Sequence, residues 1–268
     1  MTTARKIALI VLLATCGLSL AANFVAPHPY DRQLRDHIDQ PPSRQFLLGT
    51  DELGRDRFSR LLYGVRISIL LAPAAAFLST LLSALLGGLG AYLGGFWERL
   101  AAFFIDLFLS LPWLFLLLTV RAMLPLNEPP VASMIVTFLL LGLLGWAAAA
   151  RVVHASVRNL RESDFVLQAR AIGCGRLRLL FVHLLPNVRP ILLAQFWISI
   201  PVFILAEANL GVLGLGVSEP LPSWGNLLRE LEDYTAIAHN PWLLAPLLSL
   251  VIVVSCFQFI LSGEESLA

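Results

Sequence analysis

The sequence predicts an all-α integral membrane protein with about six transmembrane helices. Of its 268 residues, 57% are hydrophobic and 14% are charged, and the mean hydropathy is +0.77; a soluble domain carries about a quarter charged residues. The hydrophobic residues gather into six runs, each near the roughly twenty residues that a helix needs to cross the ~30 Å hydrocarbon layer. These runs lack the short alternating pattern of barrel strands, so they are predicted to be helices, which satisfy their own backbone groups in lipid.

An even number of spans places both termini on the same side of the membrane. The predicted spans are Ile7 to Ala26, Ile67 to Phe96, Leu100 to Leu124, Val131 to Ala150, Pro190 to Gly214 and Pro241 to Ser262. The first run follows two basic residues, a pattern that a signal peptide shares. Its length of about twenty residues favours a retained span. The predicted layout is therefore a first transmembrane helix over 1–26, an external segment over 27–66 and a core of five spans over 67–268.

The external segment has two parts with different composition. Residues 27–42 are rich in proline and charge, which is typical of irregular structure. Over 51–69, apolar residues recur at helical spacing and charged residues take the opposite face, which predicts an amphipathic helix along the membrane surface. Such a helix could meet an external partner or gate, or could simply lead into the second span. A second external segment is predicted over 218–240, with Trp224 and Trp242 at the membrane interface.

The loop between the fourth and fifth spans, residues 160–189, is too charged to cross a bilayer. Asp164 is a candidate N-cap of a first helix, and a Gly-Cys-Gly turn at 173–175 ends that helix. Helical spacing resumes at Leu177. Pro186 is predicted to stop the second helix, because proline lacks the N–H that a helix interior needs. A short, shaped helical loop on one face of a membrane protein predicts a docking site for a partner.

The loop carries a recognisable spacing. Ala169 and Gly173, followed after nine residues by a His-Leu-Leu-Pro run ending at Pro186, resemble the cytoplasmic loop signature of ABC importer permeases. Two further stretches, LLGTDELGRDRFSRLLYGVRISI at 47–69 and ILAEANLGVLGLGVSEPLPSWGNLL at 204–228, are similar to the dipeptide, oligopeptide and nickel group of these permeases. The resemblance covers most of the chain from residue 47 onward.

This resemblance implies a type I ABC importer permease architecture in the bacterial cytoplasmic (inner) membrane. It implies a permease subunit of an ATP-driven, binding-protein-dependent importer for peptides or a related small solute, such as a nickel complex. The implied partners are a homologous permease, two cytoplasmic ATP-binding subunits that grip the loop helices, an extracytoplasmic solute-binding protein and the lipid bilayer. Seven arginines on each side leave the orientation open by charge alone, whereas the resemblance places the loop in the cytoplasm.

The resemblance also assigns an ATPase-coupling role to part of the loop. The assigned residues are Phe165, Leu167, Gln168, Ala169, Ala171, Gly173, Cys174, Gly175, Leu185, Pro186 and Asn187. Three positions depart from the signature: Leu167 replaces a glutamate, Gln168 replaces the first alanine, and Gly175 stands where serine or threonine is common. These departures bear on the strength of the coupling.

Glu207 is the second candidate site residue. It lies about midway along an apolar run, where a charge costs about 2.5–3.5 kcal/mol on insertion scales. It also matches the glutamate in the Ala-Glu-Ala/Ser stretch of the resembling family. Two roles remain open: a residue that faces the transport pathway or the partner permease, or a buried structural carboxylate.

The residue types that catalysis requires do not cluster in this sequence. The five histidines are scattered singly, the three cysteines show no metal-binding spacing, and no Gly-Lys-Ser/Thr phosphate loop is present. Nineteen basic and eighteen acidic residues nearly cancel, so there is no basic footprint for nucleic acid. The prediction is a protein that is not an enzyme and has no metal or cofactor. The alternative, a secondary carrier or channel without an ATPase, would predict intramembrane acid/base pairs, broken helices or internal repeats, and Glu207 is the one feature in its favour.

Overall fold

The computed structural model describes residues 3–125, 128–232 and 234–262, and their regular structure is helical. The α-helices are α1 Thr3–Leu20, α2 Ala22–Val25, α3 Arg57–Leu82, α4 Leu89–Leu93, α5 Gly95–Ser110, α6 Trp113–Met123, α7 Pro130–Leu144, α8 Trp146–Arg161, α9 Asp164–Ala171, α10 Arg176–Arg178, α11 Leu185–Val212, α12 Trp224–Arg229, α13 Tyr234–His239 and α14 Ala245–Leu261. Two π-helical segments, Ser83–Gly88 and Leu179–Leu184, join α3 to α4 and α10 to α11. Short 3₁₀ turns follow α12 and precede α14.

Five helical stretches of the described chain are long and apolar enough to cross a membrane. They are Thr3–Leu20, Arg57–Leu93, Pro130–Arg161, Arg176–Val212 and Pro241–Leu261. A sixth crossing exists if α5 and α6, which meet at 83°, form one broken span. The prediction of an all-α membrane protein with about six spans is therefore confirmed.

The third predicted span, Leu100 to Leu124, is not one straight helix. It bends where α5 gives way to α6, and Leu111 adopts an extended conformation (φ −88°, ψ 132°). The cause is Pro112, because a proline ring clashes with a helical conformation of the residue before it. The break leaves two short helices in place of the continuous one that hydropathy predicts.

The chain divides into two compact units. Unit 1 is drawn from Met1–Ala72, Arg121–Phe138 and Pro201–Ala268, and unit 2 from Pro73–Val120 and Leu139–Ile200. In unit 1, α1 packs along α14, and the Arg5 guanidinium donates to the backbone carbonyl of Ile260. Arg121, almost fully buried, donates to the Ser133 hydroxyl at 3.0 Å. A buried guanidinium thus finds a neutral partner.

The start of α3 differs from the predicted surface helix over 51–69. The helix begins at Arg57 and runs without a break into the second span, so there is no separate amphipathic helix. Its polar face is buried: Ser59 has no exposed surface, and Arg60 is 1% exposed. The polar side chains therefore face protein rather than water.

Trp224 is also placed differently from its predicted interfacial position. It is completely buried, and its indole Nε1–H donates to the Ser249 hydroxyl of α14 at 2.9 Å. Its helix, α12, begins at Ser223, whose hydroxyl accepts from the Asn226 N–H. This part of the predicted external loop is therefore a packed helix within unit 1.

Glycines set the packing inside unit 2. A Cβ on Gly87 would lie 2.6 Å from the Ala150 carbonyl oxygen, and one on Gly90 would lie 2.4 Å from the Ala101 Cβ. Small residues let helix backbones approach this closely in membranes. The close contacts bring the end of the second span against α5 and α8, and this framework supports the loop that follows α8.

Candidate functional site

Helix α9 forms the first half of the candidate coupling loop in unit 2. Its N-cap is Ser163, in an extended conformation (φ −72°, ψ 150°), so the predicted N-cap at Asp164 is wrong by one residue. Asp164 is instead the first residue of the helix, where its negative charge interacts favourably with the positive end of the helix dipole. Val166 and Ala169 are buried in an apolar cluster with Leu179 and Leu184. The cluster packs against one face of α9, and the opposite face of the helix remains exposed.

Gly173 ends α9 in a Schellman motif. Its N–H donates to the Arg170 carbonyl at 3.0 Å, and the Cys174 N–H donates to the Ala169 carbonyl at 3.0 Å. Gly173 has φ +82°, in the left-handed region that a residue with a Cβ enters only at a cost. Within the described residues, no heavy atom lies within 4 Å of a Cβ built on Gly173. The turn therefore needs glycine for its backbone angle, while the space in front of it is open.

The second half of the loop corrects one prediction. Pro186 does not stop the helix; it is the second residue of α11, and helical structure is continuous from Arg176 to Val212. The six-residue π segment just before α11 widens the helix, which relieves the clash between a proline ring and the preceding turn. The Asn187 side chain also donates to the His183 carbonyl at 2.6 Å. The loop thus leads into the fifth span without a break.

Most of the predicted coupling residues lie on the surface. Ala169 is buried and Cys174 is half-buried; the exposed ones are Phe165, Leu167, Gln168, Ala171, Gly173, Gly175, Leu185, Pro186 and Asn187. The prediction missed the most exposed apolar side chain of the turn, Ile172, at 87%. Its position directly before the turn glycine is the signal that could have found it. Exposed apolar side chains gathered on a turn are typical of a protein-interaction surface.

Glu207 lies on α11 within unit 1 and has no exposed surface. The Ser68 hydroxyl of α3 is 3.5 Å from Oε2, a long contact, and the Ser223 hydroxyl and the Gly225 N–H also face the carboxylate. Oε1 forms no hydrogen bond of normal geometry with any part of the chain that the structure describes. The isolated chain therefore presents no Glu207 surface to a partner, and the carboxylate faces the start of α12.

Residues 79–263 match the family model described as the binding-protein-dependent transport system inner membrane component. The chain belongs to that family. It is a family of transport permeases and not of enzymes, and its members are components of the inner membrane. Membership confirms the predicted role of an ABC importer permease and the predicted multi-pass location. It also implies an ATPase and a solute-binding protein as partners.

Curated relatives agree with the family match. The di/tripeptide transport system permease protein DppC of Pseudomonas aeruginosa is 35% identical over 262 residues, which cover 96% of this chain and 84% of that protein. The dipeptide permease DppC of Bacillus subtilis is 34% identical and covers 83% of this chain and 68% of its own length. The oligopeptide permease OppC of Bacillus subtilis is 30% identical, with coverage of 88% and 75%.

The permease also has an ion-pair network in unit 1 that the sequence analysis missed. The Glu219 carboxylate accepts from Arg55 Nη1 at 2.7 Å and from Arg60 Nη2 at 2.8 Å. Nearby, Arg57 pairs with Glu230, whose pKa is raised by burial and partly lowered again by the Arg57 charge. These arginines, at the start of α3 and just before it, thus hold residues on both sides of α12. More than 150 residues separate these partners in sequence, so no local pattern indicates the pairing.

Proposed function

We propose that this permease forms a peptide pathway together with a second, homologous permease, driven by two cytoplasmic ATP-binding subunits. Relatives at 30–35% identity bear the names of dipeptide, di/tripeptide and oligopeptide permeases, which supports peptides as the substrate class. The coupling to the ATP-binding subunits is supported by one observation, the exposed apolar turn at the end of α9. The buried face of α9 holds this turn in place.

The geometry of unit 2 gives a route for the coupling. A force on α9 meets Val166 and Ala169, which pack against Leu179 and Leu184 of the helix that continues as the fifth span. Helix α9 is also joined to α8 by two residues only. Because packed helices move as rigid elements, displacement of α9 is passed to two membrane-crossing helices. In this way closure of the ATPases would reach the pathway.

Uptake of a labelled dipeptide by proteoliposomes tests this function. The complete transporter should accumulate the dipeptide only when ATP and a solute-binding protein are both supplied. Uptake that persists without the ATP-binding subunits would contradict the proposal and favour a carrier. Uptake of free nickel or amino acids in place of peptides would keep the importer and contradict the substrate class.

Cys174 offers a native probe of orientation. It is a half-buried free thiol beside the turn, whereas Cys16 and Cys256 lie within candidate spans. A membrane-impermeant thiol reagent is expected to label Cys174 in inside-out vesicles and not in intact spheroplasts. A Cys174→Ser variant, which should lose the signal, controls for the other cysteines. Labelling from the outer face alone would invert the topology and remove the site for a cytoplasmic ATPase.

Replacement of Glu207 tests whether its carboxylate serves transport. Glu207→Gln should reach the membrane at normal levels, because a neutral isostere relieves the cost of a charge within a span. Uptake should fall about tenfold, because the amide keeps the oxygen that faces Ser68 and removes only the charge, and a hydrogen bond that the charged group forms during transport contributes about 1.5–3 kcal/mol. Uptake is compared at equal membrane content. A variant that fails to accumulate would identify Glu207 as a structural carboxylate instead.

A further inference from the structure

A cavity of about 560 Å³ lies in unit 2 beside the coupling loop. Three arginines line it, Arg161 of α8, Arg170 of α9 and Arg176 of α10, together with Tyr92 and Cys174. Among the residues that the structure describes, no acidic side chain lines the cavity. Its walls come from the end of α4 and from both arms of the Gly173 turn.

Hydrogen bonds hold the walls of this arginine cavity. Arg161 Nη1 donates to the Ala91 carbonyl at 2.7 Å and lies 3.0 Å from Glu98 Oε2. The Tyr92 hydroxyl donates to the Arg176 carbonyl at 2.6 Å. The end of α4 is therefore joined to α8 on one side and to α10 on the other. These hydrogen bonds define the shape of the cavity within unit 2.

The charges around the cavity are unbalanced. Glu98 compensates Arg161, but Arg170 and Arg176 form no ion pair with any residue that the structure describes. Two exposed guanidinium groups therefore line the cavity without a counter-ion. A guanidinium presents planar, paired N–H donors that match the oxygens of a phosphate group. The chemistry of the cavity selects an anion with several oxygens.

Neighbouring residues indicate the depth of the cavity relative to the membrane. The candidate span Arg57–Leu93 ends at the cavity, and Leu93 is one of its lining residues. Just beyond the following turn, the side chains of Phe96 and Trp97 are 66% and 56% exposed. Exposed aromatic residues at the end of a span are typical of the headgroup region. An exposed aromatic pair of the interfacial type thus follows within four residues of Leu93, which lines the cavity.

We propose that the arginine cavity binds the phosphate of an anionic phospholipid headgroup. With the loop on the cytoplasmic side, as the proposed function requires, the cavity belongs to the basic pockets near transmembrane helices that suit such lipids. Arg170 lies before the Gly173 turn and Arg176 lies after it, so one phosphate bridges the two arms of the turn. A bound lipid therefore ties the coupling loop to the membrane and stabilises one geometry of the turn.

Lipid binding by the full-length permease tests the proposal. The permease is placed in nanodiscs of phosphatidylcholine with a rising share of phosphatidylglycerol, and the phosphatidylglycerol retained on the protein is measured by native mass spectrometry. The Arg170→Gln/Arg176→Gln variant should bind it about 25-fold more weakly. This value assumes about fivefold for each arginine, the equivalent of ~1 kcal/mol per charge near an anionic surface. Arg178→Gln is the matched control, because Arg178 is exposed, lies two residues away and does not line the cavity.

Cys174 supplies a second readout, since it lines the same cavity. Phosphatidylglycerol should slow its labelling by a thiol reagent in wild type and in Arg178→Gln, but not in the double variant. Equal lipid retention by wild type and the double variant, or an equal loss in Arg178→Gln, would overturn the proposal.

Two further arms separate the possible sources of the anion. Inorganic phosphate added to the detergent-purified protein should not displace phosphatidylglycerol; displacement at equal concentrations would identify a site for free phosphate instead. Co-purification of the ATP-binding subunits is measured on the same variants. If the double variant keeps its phosphatidylglycerol and loses the ATPases, the arginines bind an acidic surface of the ATPase and the lipid proposal is wrong.

Discussion

Replacing Gly173 by arginine is expected to leave the permease in the membrane while uptake and substrate-stimulated ATP hydrolysis are lost. Gly173 lies at the exposed end of α9 with open space in front of it. A long charged side chain would fill that space and keep an ATPase from seating on the turn. Contacts at the centre of an interface contribute about 2 kcal/mol or more, so uptake should fall at least ~30-fold. Peptide uptake and co-purified ATPase are measured at equal permease content.

Gly173→Ala is the matched control for this change. Both substitutions place a Cβ on a residue with φ +82°, so both bear the same backbone cost of about 1–2 kcal/mol. They differ only in the side chain beyond Cβ. Alanine should keep most of the uptake, because a Cβ there meets nothing within 4 Å. Normal uptake by the arginine variant would refute the coupling role, and an equal loss in both variants would assign the effect to the turn conformation.

The spans and the Gly173 turn could be predicted because their signals are local. An apolar run of about twenty residues forms a helix in lipid, because a helix satisfies its own backbone hydrogen bonds. The Gly173 turn likewise depends on a backbone angle that glycine supplies. Pro186 failed as a stop signal because its effect depends on the helix geometry before it. A π segment precedes α11, and the residue types at 179–184 give no sequence signal for a π-helix.

The parts that sequence reasoning missed depend on distant partners. Trp224 is typical of an interface by its residue type, yet it is buried because Ser249 lies where its N–H can donate. Arg55 and Arg60 look like the solvated face of an amphipathic helix until Glu219 is placed between them. Pairing across such separations is fixed by tertiary packing, and one sequence does not contain that information.

A large stability effect is expected at Gly225, where α12 touches α11 inside unit 1. A Cβ on Gly225 would lie 2.5 Å from the Gly211 Cα, 2.9 Å from the Ala208 carbonyl oxygen and 3.0 Å from the Glu207 carbonyl oxygen. These neighbours are backbone atoms, which cannot move aside as a side chain can. Gly225→Ala should therefore cost about 1–3 kcal/mol, and Gly225→Val should cost more.

We expect Gly225→Val to be nearly absent from the membrane and Gly225→Ala to show a lowered melting temperature in detergent. Gly17→Ala, in α1, is the control, because a Cβ on Gly17 meets no described atom within 4 Å. Alanine is also the better helix former.

Gly211→Ala creates the same clash from the other side, with 2.3 Å between its Cβ and the Gly225 Cα. Once one clash has displaced α12, the second should cost little, so the double alanine variant should lose less stability than the sum of the two single variants. Strictly additive losses would show that the two glycines do not share one contact, and α12 would then not be held against the Glu207 segment of α11.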